Sequence, residues 1–206
     1  DVGIVKDVSI RNNRIWDIEG PVSAHGIQLH YRVQNVNISG NKIYGIHGDP
    51  TDQTDLSYEG DDWASAIQLS SGSGSVGGPL ETVVIKDNYL KADSDSEVPS
   101  ELDSGALDDR ATPGFALEVA GFTDPGTVTL RNNAIEAAGG IINKTGDGSV
   151  DAQKNWWGDA SGPSSVSSDP NAPYSSAGGG TTANGSGALV VDYDEDGTAE
   201  INFDDV

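Results

Sequence analysis

The residues best suited to chemistry are acids set beside aromatic rings. Tyr58, Asp61, Asp62 and Trp63 fall in one short stretch downstream of His47. Aromatic rings stack on the apolar faces of pyranoses while carboxylates accept hydrogen bonds from sugar hydroxyls, which makes this stretch a candidate glycan site. The alternative is that Trp63 packs the segment onto its scaffold and the acids face water. A second candidate is Asp192-Tyr193-Asp194-Glu195-Asp196-Gly197, whose D-x-D-x-D-G spacing puts oxygen ligands at alternate positions before a sharp bend. Asp192, Asp194 and Asp196 would hold calcium. The bidentate acid of a full loop is missing, with Phe203 in its place, so an acidic solvated turn stands beside the calcium reading. Three histidines, His25, His30 and His47, are too few and too scattered for a histidine metal site. Asn37, Asn143 and Asn184 each open an N-x-S/T tripeptide, compatible with glycosylation of an exterior protein.

An eight-residue frame positions these groups. It carries apolar residues at offsets 0, 2 and 7 and asparagine at offset 5. The copies are Val8, Ile10, Asn13, Ile15; Val36, Ile38, Asn41, Ile43; Val83, Ile85, Asn88, Leu90; Val128, Leu130, Asn133, Ile135; and Val150, Ala152, Asn155, Trp157. Offsets 0 and 2 share one face of a strand. A tight turn follows, where asparagine tolerates the left-handed backbone and its amide can bond to identical amides one strand spacing away. A second frame reads as another short strand: Gly26-Ile27-Gln28-Leu29, Ala66-Ile67-Gln68-Leu69, Ala116-Leu117-Glu118-Val119 and Gly140-Ile141-Ile142. Gln28, Gln68 and Glu118 then line up as an outward polar column that could read a repeating polymer or simply be the wet side of the sheet. The ladder asparagines are 28, 47, 45 and 22 residues apart. The excess over 22 falls mostly between the offset-7 residue and the next outer strand, so long loops of successive turns share one corner and one protruding face.

Repeating short strands without amphipathic helices imply stacked coils. In these residues the chain, over about 4–158, resembles right-handed parallel β-helix repeat proteins of the pectate-lyase-like group. Asn155-Trp156-Trp157-Gly158 with Gly162-Pro163 resembles the closing segment of secreted members. The resemblance implies an all-β fold, a right-handed single-stranded parallel β-helix of about five coils with long loops inserted at one corner. It also implies what an enzyme on this fold would need. Its lyases take a proton beside a uronate carboxylate while a cation neutralises the enolate, parts that Asp108, Asp109 and Arg110 could fill. Its hydrolases need two suitably spaced carboxylates, and a chain so rich in acids meets that distance by accident. The histidine-containing catalytic signatures of hydrolases and uronate epimerases on this architecture are not in the sequence. Glu200 to Val206 resembles the second half of dockerin-like loops, with two residues too many between the halves.

Composition bounds the rest. The 206 residues carry 33 acids against 11 Lys and Arg, a net charge of −22. That balance opposes a nucleic-acid partner, which needs a basic footprint. No stretch approaches a membrane span. Leu, Ile, Val and Phe total 44, close to the boundary below which charged chains stay unfolded, so patterning carries the fold assignment. With no cysteine there is no disulfide, zinc thiolate or cysteine nucleophile. The Asp-rich, Lys-poor, Cys-free balance resembles secreted proteins of extreme halophiles, whose hydrated carboxylates keep the surface soluble in salt. Asp1 without a following apolar signal region reads as the start of a processed or excised piece. The expected organisation is a β-helix over 1–160, a Ser/Gly/Pro-rich connector over 161–187, and a terminal strand with the acidic turn over 188–206. The expected function is an extracellular or cell-surface adhesive β-helix segment whose inserted loops bind glycan or a neighbouring subunit. A polysaccharide lyase or glycoside hydrolase is the alternative, and a viral fibre segment a weaker one.

Overall fold

The structure is a computed structural model that describes residues 4–20, 23–48, 64–70, 79–92, 114–120, 122, 124–137, 139–144, 149–165, 185–192 and 201–202. Every regular element among them is a strand, and every strand pairing is parallel. Sheet A holds β1 (Ile4–Arg11), β4 (Arg32–Ser39), β7 (Pro79–Lys86), β11 (Thr127–Arg131), β14 (Ser149–Asp151) and β17 (Ile201–Asn202) in that order, with β10 (Asp124–Pro125) also on β7. Sheet B holds β2 (Arg14–Gly20), β5 (Lys42–Gly48), β8 (Tyr89–Leu90) and β12 (Ala134–Ile135). Sheet C holds β3 (Ala24–His30), β6 (Ala64–Ser70), β9 (Phe115–Ala120), β13 (Gly139–Lys144), β16 (Leu189–Asp192) and β15 (Ser164–Ser165). From β1 to β13 the chain visits A, B and C in rotation, with β10 and β11 both in A, an arrangement compatible with a parallel β-helix.

Register follows the sequence frame. Val8, Val36, Val83, Val128 and Val150 pair in succession across sheet A. Ile15, Ile43, Leu90 and Ile135 do so in sheet B, and Ile27, Ile67, Leu117, Ile141 and Val190 in sheet C. These residues form one buried cluster, with Trp157 joining it and the partly buried Val8 and Ile15 of the first coil packed against it. Each fully buried aliphatic side chain contributes roughly 1.5–3 kcal/mol, and that burial sets the register because a one-residue slip would turn the whole row outward.

The asparagines form a continuous ladder. Nδ2 of Asn13, Asn41, Asn88 and Asn133 donates to Oδ1 of the next asparagine at 3.1, 3.1, 3.0 and 2.9 Å. The backbone N–H of each donates to the same oxygen at 2.9, 2.8, 3.0 and 2.9 Å. From Asn41 onward, Nδ2 also donates to a carbonyl of the preceding rung: Ile10, Ile38, Ile85 and Leu130. Asn155 closes its end by donating to its own Ala152 carbonyl at 2.6 Å. The left-handed residue is not the ladder asparagine, as the turn chemistry suggests, but the one before it: Asn12, Gly40, Asp87, Asn132 and Lys154. Bending one position earlier turns the next side chain inward, where its amide meets its copies. A second left-handed column, Asp7, Asn35 and Thr82, kinks the sheet-A strands between Val5, Val33 or Leu80 and the following valine, and Asn35 Nδ2 donates to Asp7 Oδ1 at 2.6 Å.

The corner is defined by strand ends. β5 and β8 are neighbours in sheet B, and β6 and β9 are neighbours in sheet C, so the two long connections leave and rejoin on adjacent rungs. The inserted residues 49–63 and 93–113 lie outside the described residues. At the far end, β16 pairs with β13 as the apolar run 188–191 suggests. Ile201–Asn202, in the stretch likened to half of a calcium loop, is instead a strand beside Val150–Asp151, with Ile201 buried. An apolar residue next to an open sheet edge gains more by pairing there than by standing in a solvated loop.

Candidate functional site

Gln28, Gln68 and Glu118 come together as a column on the outer face of sheet C. Gln28 Nε2 donates to Gln68 Oε1 at 2.7 Å, and Gln68 Nε2 donates to Glu118 Oε2 at 3.0 Å. The column closes along its length: Gln28 is exposed, Gln68 half-buried and Glu118 only 3% exposed. Ile142, at the same position on the next rung, is fully buried. The open end is therefore the Gln28–Gln68 pair, flanked by His25 Nδ1 against Ser65 Oγ at 2.7 Å.

Of the other expected site residues only Asp192, Asn143 and Asn37 fall among the described residues. Tyr58, Asp61, Asp62, Trp63, Asp108, Asp109, Arg110, Asn184, Asp194 and Asp196 lie outside the described residues. Asp192 ends β16 opposite Asn143. Asn143 is fully buried. Asn37 is half-buried mid-strand between Ser9 and Val84, and its Oδ1 is buried without a hydrogen-bond partner. Among the described residues no group of three or more histidines or acids is placed to hold a metal ion.

A cleft of about 600 Å³ opens where the fourth B-to-C connection is short, with Glu136, Gly158, Ser164 and Ser186 in its wall. Asp159 organises its edge by accepting from Ser161 Oγ at 2.6 Å and Ser161 N at 2.8 Å. Ser161 Oγ in turn accepts from Ser186 N at 2.9 Å, which ties residues 185–187 to the end of the stack. The two Ser161 hydrogen bonds, the side-chain one foremost, hold the Asp159 carboxyl below the usual carboxylate range. With the folded value depressed, the turn's contribution is present above the unfolded value and is lost as pH falls through the folded one. A carbon-detected NMR titration should find Asp159 low in the intact chain and raised toward the ordinary range in Ser161→Ala, which removes the side-chain donor and keeps the backbone one; an unchanged midpoint would refute this.

The frame also carries a signal at offsets 6 and 8, which flank the inward residue of sheet B and so point outward. These positions hold Arg14 and Trp16, Lys42 and Tyr44, Tyr89 and Lys91, Ala134 and Glu136, then Trp156 and Gly158. Arg14 lies over the Trp16 ring at 4.9 Å and the Tyr44 ring at 5.3 Å, and donates to Tyr44 Oη from Nε at 2.6 Å and from Nη2. Lys42 Nζ lies 5.2 Å from the Tyr44 ring and 5.1 Å from the Tyr89 ring. Tyr89 Oη donates to Glu136 Oε2 at 2.8 Å. Trp16 and Trp156 stand 51% and 48% exposed on or beside this face.

Comparison with protein-family models, curated proteins and solved structures finds no match to the chain.

Proposed function

We propose that this chain is a segment of right-handed parallel β-helix of about five coils, built as a structural and adhesive rod at the cell surface or outside the cell, with the insertions at 49–63 and 93–113 binding glycan. The observation that carries this reading is that both insertions leave neighbouring strands of sheet B and return to neighbouring strands of sheet C, so their ends are held on adjacent rungs. The acid-and-ring composition of 58–63 supplies sugar chemistry, and the surplus of hydrated acids suits a salty exterior. Calcium held by Asp192, Asp194 and Asp196 belongs to the same proposal and rests on their spacing.

Incubation with a panel of neutral and uronate polysaccharides at high salt tests it. Binding without product is expected, weakened about tenfold, or ~1.4 kcal/mol, in Tyr58→Ala/Trp63→Ala. A chelator should weaken binding by the intact chain and leave Asp194→Asn unaffected. Turnover that disappears in Asp109→Asn or Arg110→Ala would replace this reading with a carbohydrate-active enzyme.

A further inference from the structure

We propose that the outer face of sheet B binds a sulfated glycan, with Arg14 and Lys42 holding a sulfate ester and Trp16, Tyr44 and Trp156 offering stacking surfaces for the sugar rings. This site is separate from the 49–63 and 93–113 insertions and does not depend on the reading given to them. Its first support is electrostatic. In a chain of net charge −22, two exposed cations sit on adjacent rungs, Arg14 opposite Lys42, and among the described residues their side-chain partners are aromatic groups, not carboxylates. Such cations keep most of their N–H donors for an incoming oxyanion.

The second support is shape. Rings that carry a cation on one side and stand half-exposed, as Trp16 does, are amphipathic surfaces that accept the flat C–H face of a sugar. From the rung of Trp16 to that of Trp156 there are four strand spacings of ~4.8 Å, about 19 Å, long enough for an oligosaccharide. Glu136, already accepting from Tyr89, bounds the cationic part of the face and leaves the anion to the first rungs.

Sulfate fits better than carboxylate because two donors on neighbouring rungs converge on one group. The three terminal oxygens of a sulfate ester accept from both cations at once, whereas a planar carboxylate is matched by a single guanidinium fork. Acidic segments of a second copy would satisfy the cations but would bring that copy's own net negative charge to the contact.

The test titrates the full chain with dextran sulfate, unmodified dextran and polyglutamate in about 0.5 M NaCl, where long-range repulsion is screened. Dextran sulfate should bind, with dextran and polyglutamate at least about tenfold weaker. Arg14→Gln/Lys42→Gln should lose about tenfold or more toward dextran sulfate, and Trp16→Ala several-fold, with circular dichroism unchanged because these side chains are exposed. Unaltered binding by these variants, no binding of dextran sulfate, or equal binding of polyglutamate would each overturn the proposal. Loss only in Tyr58→Ala/Trp63→Ala would also overturn it, while leaving the reading of the insertions intact.

Discussion

Asn88→Leu is expected to destabilise the fold by about 2–5 kcal/mol, measured as a lower denaturation midpoint at matched salt. Asn88 is the middle rung and 3% exposed. Its Oδ1 accepts from Asn41 N at 2.8 Å and Asn41 Nδ2 at 3.1 Å, while its Nδ2 donates to Ile38 O and Asn133 Oδ1, both at 3.0 Å. Asn41 Nδ2 keeps Ile10 O, and Asn133 Oδ1 keeps the Asn88 backbone N–H. The Asn41 N–H loses its acceptor and the Ile38 carbonyl loses one donor, and a buried N–H left without a partner costs about 1–3 kcal/mol. The same substitution at exposed Asn13 is the control. There Asn41 Oδ1 still accepts from the Asn13 N–H at 2.9 Å, so the loss should stay under about 1 kcal/mol. Equal effects at the two positions would mean the amides do not act as a buried ladder.

Leu90→Ala should cost about 2–5 kcal/mol through lost burial and the cavity left behind. Leu90 is fully buried in a two-residue strand, between Ile43 above and Ile135 below. Neither neighbour can collapse into the gap, because each is held in its own parallel rung. Leu90→Met, which keeps the volume, should lose less than about 1.5 kcal/mol. If alanine is as mild as methionine, the stack is not close-packed at this layer.

The inward rows were readable from sequence because burial leaves one residue class per position and the period repeats it. Val36, Ile38, Asn41 and Ile43 meet the same environment as their copies, so the types recur. Outward positions carry no such constraint. Arg14, Lys42 and Tyr89 share one column without sharing a type, and their meaning depends on the ring or cation one rung away. The left-handed column of Asp7, Asn35 and Thr82 escaped a type-based reading for the same reason, since only the conformation repeats. Gln28 to Glu118 was legible as a column, but its closing toward Ile142 was not, because burial of an outer face is decided by segments distant in sequence. Ile201–Asn202 is too short to carry a period. The insertions have no period either, so spacing assigns Asp61 or Asp109 no register.

The amide ladder has a direction. Each Oδ1 from Asn41 to Asn155 accepts from the asparagine before it, while Asn155 turns its own amide onto Ala152. A duplicated unit inserted between Asn133 and Asn155, 22 residues apart, would therefore find an acceptor ahead and donors behind already in line. Lengthening such a molecule by gene duplication requires copying one bare turn rather than inventing a new joint, whereas building past Asn155 first requires that terminal amide to be released.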